Sequence, residues 1–287
     1  MQHETRKHAR LSASRTDRFM SCPGSYRLES LMPYEPAGEA AAIGTAIHEL
    51  SEIILSNGQI PAGTDPDHIA MAQAYANFVN NLVENPRKKL IEVSLDEGLK
   101  SLHPALGGTA DAVLVDGDHL HVVDLKTGRV AVDATDNKQL LTYALGAMRQ
   151  FKAPSHITCT MHIFQPRVGH SKWTVTGQDL VDHGERLKAA AELALTNDAP
   201  TNPSPDACRY CKAKTICPSM REKVQEAARS DFKPDTTVTP EMLDTAALVT
   251  SWADAVQSAA KKQLAQGKSI QGWTMRLGRK TKFWKDE

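Results

Sequence analysis

The sequence has no long apolar run. Nothing in it approaches the roughly 20 consecutive apolar residues that span a bilayer, so no membrane-spanning helix is expected. Net charge is missing too, because 34 Lys+Arg balance 34 Asp+Glu. A global basic field for nucleic acid is therefore excluded, and any such binding must come from a local patch. The opening "MQHETRKHARLSASR" has no apolar signal-peptide core, which leads us to expect a cytoplasmic location. Cysteines are few, five in all. In a reducing compartment they are expected as ligands or buried thiols rather than disulfides. No internal repeat or low-complexity segment is present, and the P-loop pattern G-x-x-x-x-G-K-[ST] is absent.

What is there reads as an ordinary globular chain. Its 287 residues are 41% hydrophobic and 24% charged, enough for one large domain or two modest ones. Serines before Arg15–Met20 predict a short capped helix, broken by Pro23-Gly24. Ile43, Ile47, Leu50 and Ile54 form one stripe of a helix over 41–58, with Gly58 as the residue after its C-cap. Asp65-Pro66 starts a second helix that stops before Pro86. Strands follow at 90–95, 108–116 and 120–126, the last two joined by the turn Asp116-Gly117-Asp118. A helix over 133–151, strands over 156–166 and 171–176, and a helix over 177–197 complete this part. Helices are also expected at 218–230 and 239–266. The order predicts an α/β sheet with helices packed on it.

The stretch "HVVDLKTGRV" places charge inside an apolar strand. Side chains alternate along a strand, so Asp124 and Lys126 share one face. Asp111 lies about as far from the 116–118 turn on the partner strand, which sets it beside Asp124. Two adjacent carboxylates repel unless a cation lies between them, and oxygen ligands suit Mg²⁺ or Mn²⁺. Taken alone, Asp124 and Lys126 fit an ion pair at a sheet edge better than a metal site. Other residues bear on the choice. Gln139 and Tyr143 are four apart on the next helix and share its face. His48 lies on the early helix, four residues after Gly44.

Taken in order, "GTAIHE", "GGTAD", "VVDLKTG" and "QLLTY" resemble the motifs of the RecB-like branch of the PD-(D/E)XK nuclease superfamily. "LSASRTDRFMSCPGSYRL" is similar to that branch's opening signature. The resemblance covers residues 11–218, about three quarters of the chain. Each motif is weak alone; the ordered set is specific. The resemblance implies a restriction-endonuclease-like fold, a central mixed β-sheet flanked by helices, and a metal-dependent phosphodiesterase. It implies that His48, Asp111, Asp124 and the backbone carbonyl of Leu125 hold Mg²⁺ or Mn²⁺. Lys126 would orient or activate water, while Gln139 and Tyr143 would position the phosphate backbone or support Lys126. Arg15 and Lys138 are candidate DNA contacts, and equally solvated surface cations. Glu92 on the first strand is a candidate supporting carboxylate.

Cys208-x2-Cys211-x5-Cys217-Pro218 gives three close thiols that want a fourth. Cys159 sits in an expected core strand, where a lone cysteine acts as a small hydrophobe. Cys22, in a loop before a proline, is the better candidate. Four thiolates suit structural Zn²⁺ or a [4Fe–4S] cluster. The split of one plus three across the nuclease core resembles the iron–sulfur staple of AddB-type helicase-nucleases and CRISPR spacer-acquisition nucleases. Such a link joins the N-terminal loop to the C-terminal helices. If the relation for disulfides transfers, closing that loop is worth on the order of 5 kcal/mol.

The expected organisation is a basic arm (1–10), a nuclease domain (11–230) and a helical extension with a basic tail (231–287). The tail interleaves Arg276, Arg279, Lys280, Lys282 and Lys285 with Phe283 and Trp284, which suits single-stranded nucleic acid; an exposed polar strand fits as well. The abrupt end fits a naturally short chain or a trimmed one. The leading expectation is a DNA exonuclease, phage-encoded and working in the bacterial host cytoplasm, acting on single-stranded or open-ended DNA. A single-strand annealing or recombination protein is a possible partner. A structure-selective endonuclease and a non-catalytic DNA-binding module are the rival readings.

Overall fold

The computed structural model describes residues 9–36, 38–229 and 237–276. The chain divides into two compact units, 1–200 and 201–287. The expected boundary at 230 falls outside the described residues, as do the arm up to residue 8 and the tail beyond Arg276.

The first unit begins with β1 (Leu11–Ser12), a single 3-10 turn (Ala13–Arg15), α1 (Thr16–Ser21) and α2 (Ser25–Ser30), with the Pro23-Gly24 break between the two helices. Next come α3 (Glu39–Leu55), α4 (Pro66–Leu82), β2 (Lys88–Ser94), α5 (Asp96–Lys100) and β3 (Leu106–Gly107). The centre is β4 (Thr109–Asp116), β5 (His119–Leu125), α6 (Lys138–Gln150), β6 (Thr158–Gln165), β7 (Gly169–Thr176) and α7 (Gly177–Ala194). A five-stranded sheet runs in the order β2-β4-β5-β6-β7. It is mixed: β5 and β6 are parallel, with α6 in the connection between them, and the other pairs are antiparallel. β1 and β3 form a separate parallel pair. The protein is thus α/β, with a central mixed sheet flanked by helices.

Each face of the sheet has its own apolar layer. On one, Val113, Val122, Met161 and Ile163 pack with Leu140, Ala144 and Leu145 of α6 and Leu180 and Leu187 of α7. On the other, Ala112, Leu114, Val123 and Leu125 pack with Ile47 and Leu50 of α3 and Tyr75 and Val79 of α4. Cys159 is fully buried in the first layer, as a small apolar side chain would be.

The second unit holds α8 (Pro205–Arg209), α9 (Pro218–Ala228) and α10 (Pro240–Ala265). Cys208, Met220 and Leu248 are its buried core, with Cys217 and Trp252 against them. Among the described residues no helix is long and apolar enough to cross a membrane.

Two expectations are corrected, and five short elements are added. α6 starts at Lys138, not 133. The Asp133 carboxylate accepts from Thr135 N–H at 2.9 Å, and Asp136 is left-handed with φ 55°, so the chain turns before it coils. The helix begins only where the Asn137 side chain caps Leu140 N–H at 3.1 Å. At the end of α3, Asn57 rather than Gly58 takes the left-handed position, with φ 56°. Gly58 N–H donates to the Ile53 carbonyl and Asn57 N–H to that of Ile54, which is the Schellman closure displaced by one residue. Finally β1, β3, α2, α5 and α8 are too short for periodicity to reveal.

Candidate metal and phosphate site

The hairpin count holds. Ala112 pairs with Val123, so one further step sets Asp111 opposite Asp124. There the Asp111 carboxylate accepts from the Leu125 N–H at 2.7 Å. Its other oxygen meets His48 Nδ1 at 3.1 Å. Gly44 lies one turn before His48 on the same face of α3. A β-carbon there would stand 3.2 Å from Thr127 Oγ1, so glycine lets α3 approach the end of β5.

Val123 and Leu125 face the α3–α4 layer, so Asp124 and Lys126 face α6. The Asp124 side chain is 4% exposed and lies 2.8 Å from Lys126 Nζ. The Gln139 amide ties the set together. Its Nε2 donates to Asp124 Oδ1 (3.0 Å) and to Tyr143 OH (3.1 Å), while its Oε1 accepts from Lys126 Nζ (3.1 Å). Each amide atom has one chemically permitted role here, so the orientation is determined.

Burial pushes the Asp124 carboxyl above its usual range; Lys126 opposes the shift and Asp111 adds to it. For Lys126 burial works downward, but Asp124 outweighs it and the ammonium stays raised. Burial likewise works to lower His48; the hydrogen bond and charge of Asp111, with Asp124 and Glu92 behind, leave it raised. The Tyr143 phenol is pushed up by burial and by the Asp124 charge. The site therefore concentrates negative charge, with one ammonium against it.

Six predicted residues are brought together: His48, Asp111, Asp124, Lys126, Gln139 and Tyr143. Two are not. Arg15 is exposed on the 3-10 turn. Lys138 pairs with Asp136 at the foot of α6. One ligand atom each from His48, Glu92 and Asp111 lie within 4.8 Å of one another. An imidazole with two carboxylates fits a divalent cation such as Mn²⁺. Beside the site opens a cleft of about 560 Å³, lined by Ser12, Ser14, Glu92, Ser94, Thr109 and Tyr143 among others.

None of the five cysteines forms a disulfide. Cys208 lies on α8, Cys211 N–H donates to its carbonyl at 3.2 Å, and Cys217 precedes α9. The turn and the helix start thus bring the three thiols of the second unit into one short segment. Cys22 follows α1 in the first unit and is buried.

A row of histidines went unread in the sequence. His119, His121, His162 and His170 stack across β5, β6 and β7 with ring centroids 4.3, 5.4 and 5.2 Å apart. His121 Nδ1 meets His162 Nε2 at 3.1 Å, and His162 Nδ1 meets His170 Nε2 at 3.0 Å. The alternation His119-x-His121 was its one visible sign.

Comparison with solved structures gives a weak likeness to the crystal structure of SSO0001. Identity is 14% and the TM-score 0.36, over 76% of this chain and 89% of that one. So low a score carries no argument. The profile of the family described as "Protein of unknown function (DUF2800)" matches residues 8–287, almost the full length, and the chain belongs to that family.

Proposed function

We propose that the protein is a metal-dependent DNA exonuclease of the RecB-like, restriction-endonuclease-like type. The observation that carries this reading is the convergence of six side chains from β4, β5, α3 and α6 on one strand end. His48, Asp111 and Asp124, with the Leu125 carbonyl, would hold Mg²⁺ or Mn²⁺. Bound there, the cation supplies charge against the scissile phosphate and lowers the pKa of a coordinated water. Lys126, half-buried and charged, stabilises negative charge developing on phosphorus oxygens. Gln139 fixes Lys126 and Asp124 relative to each other, and Tyr143 buttresses Gln139. A bare ion pair at a sheet edge needs neither the amide nor His48.

The cysteine spacing supports a [4Fe–4S] cluster on Cys22, Cys208, Cys211 and Cys217, with structural zinc as the alternative. The cluster's part is support, since the phosphodiester chemistry needs no electron. Without a P-loop, strands must be opened by a partner or reach the site already open.

The test is cleavage of end-labelled linear and closed circular DNA, single- and double-stranded, with Mg²⁺ or Mn²⁺. Loss of linear DNA only, abolished in Asp124→Ala and in Lys126→Ala, supports the exonuclease. Nicking of closed circles favours an endonuclease. Binding without cleavage by the wild type leaves a DNA-binding module.

A further inference from the structure

Glu92 is where the sheet departs from regular geometry. Ile91 pairs with Ala112 and Val93 with Ala110, in one register. That register sets Glu92 opposite Asp111, yet the pairing is interrupted there. Glu92 has φ 47°, a left-handed residue inside an extended strand. A non-glycine residue held so is strained and persists only where its surroundings impose it. The strand keeps its register on both sides, so no inserted residue explains the turn.

The side chain that results is well placed. Glu92, Asp111 and Asp124 come from three neighbouring strands, β2, β4 and β5, at one level of the sheet. Asp124 is committed to Lys126 and Gln139. The ligand set that closes within 4.8 Å is instead His48, Glu92 and Asp111. Glu92 also lines the open cleft, so a hydrated cation reaches it from solvent. Asp124, at 4% exposure, lies on the buried side of the set.

We infer that Glu92 is a direct ligand of the divalent cation, sharing it with His48 and Asp111, and that its left-handed backbone is what delivers the carboxylate. This deepens the proposed function and rests on its metal site, but not on DNA being the substrate. Glu92 thereby joins His48, Asp111 and Asp124 at the cation, and Asp124 also anchors Lys126.

The experiment is Mn²⁺ titration of the full-length protein by calorimetry, with the thermal midpoint of the metal-free protein measured beside it. The variants are Glu92→Gln, which keeps the shape, and Glu92→Gly, which suits the left-handed backbone. The expected result is Mn²⁺ affinity lower by about tenfold or more in both. The metal-free midpoint should not fall in Glu92→Gln, and should rise by about 2–4 °C in Glu92→Gly. Unchanged affinity in both variants would overturn the inference. So would a loss of affinity that only tracks a lower metal-free midpoint. Cleavage is scored separately: protein that binds Mn²⁺ through Glu92 and cuts no DNA keeps this inference and loses the nuclease reading.

Discussion

Lys126 and His162 show a charge kept and a charge refused in a folded chain. Lys126 is held charged because Asp124 lies 2.8 Å away. Its replacement by alanine leaves a buried carboxylate without its cation, which costs about 1–3 kcal/mol. Urea unfolding should show that loss, and Asp124→Asn added to Lys126→Ala should recover much of it. His162 is the opposite case. Burial, then the neighbouring charges of His121, His170, Lys172 and His119, drive it down to about 3. His121 is lowered to about 4 in the same way, by burial and by His119. Unfolded histidine titrates near 6.5, so the unfolded chain takes up protons first as pH falls. The stability from these rings is complete above about pH 6.5 and drains away toward pH 4. We expect His162→Gln to lose about 1–2 kcal/mol less than wild type between pH 7 and pH 5, read from urea midpoints.

At the scale of the element, α5 and α6 cross with almost no space. A β-carbon on Gly98 would stand 2.0 Å from the Gly146 carbonyl oxygen. Backbone cannot yield as a flexible side-chain tip can, so Gly98→Ala should cost about 2–3 kcal/mol. Differential scanning calorimetry should register it as a fall of several degrees. Neither glycine could be read as a contact in advance, because packing between helices leaves no local pattern. The hairpin could, since counting outward from Asp116-Gly117-Asp118 places Asp111 beside Asp124. The helices that cover the sheet were legible from their apolar stripes. The start of α6 was not: Asp133 and Asp136 compete for the backbone there, and propensity alone does not say which wins. The left-handed Glu92 was equally invisible, because nothing in "LIEVSL" distinguishes it from ordinary strand. The six-residue site was therefore readable where it follows strand alternation and helix spacing, and unreadable where it depends on an irregular backbone.

For the whole molecule, the proposed cluster draws its ligands from stretches that sequence keeps far apart, Cys22 on one side and Cys208, Cys211 and Cys217 on the other. Protein purified without oxygen should be brown, and Cys211→Ala should lose the colour. A colourless protein carrying one zinc would assign the four thiols to that metal instead. The spacing is what suggests the cluster; the division of the chain near residue 200 was not legible, since "TNPSPDAC" reads as a linker and as a ligand loop alike.

The two apolar layers have one more consequence. His48 arrives from the helices on one side of the sheet, and Gln139 and Tyr143 from a helix on the other. Their meeting at a strand end is thus a gauge of the domain's thickness. A side chain lost from either layer lets one helix settle inward, and the ends of the gauge no longer meet. Damage that the fold as a whole absorbs is felt first at the site, so its geometry is the earliest report of a loosened core on either side.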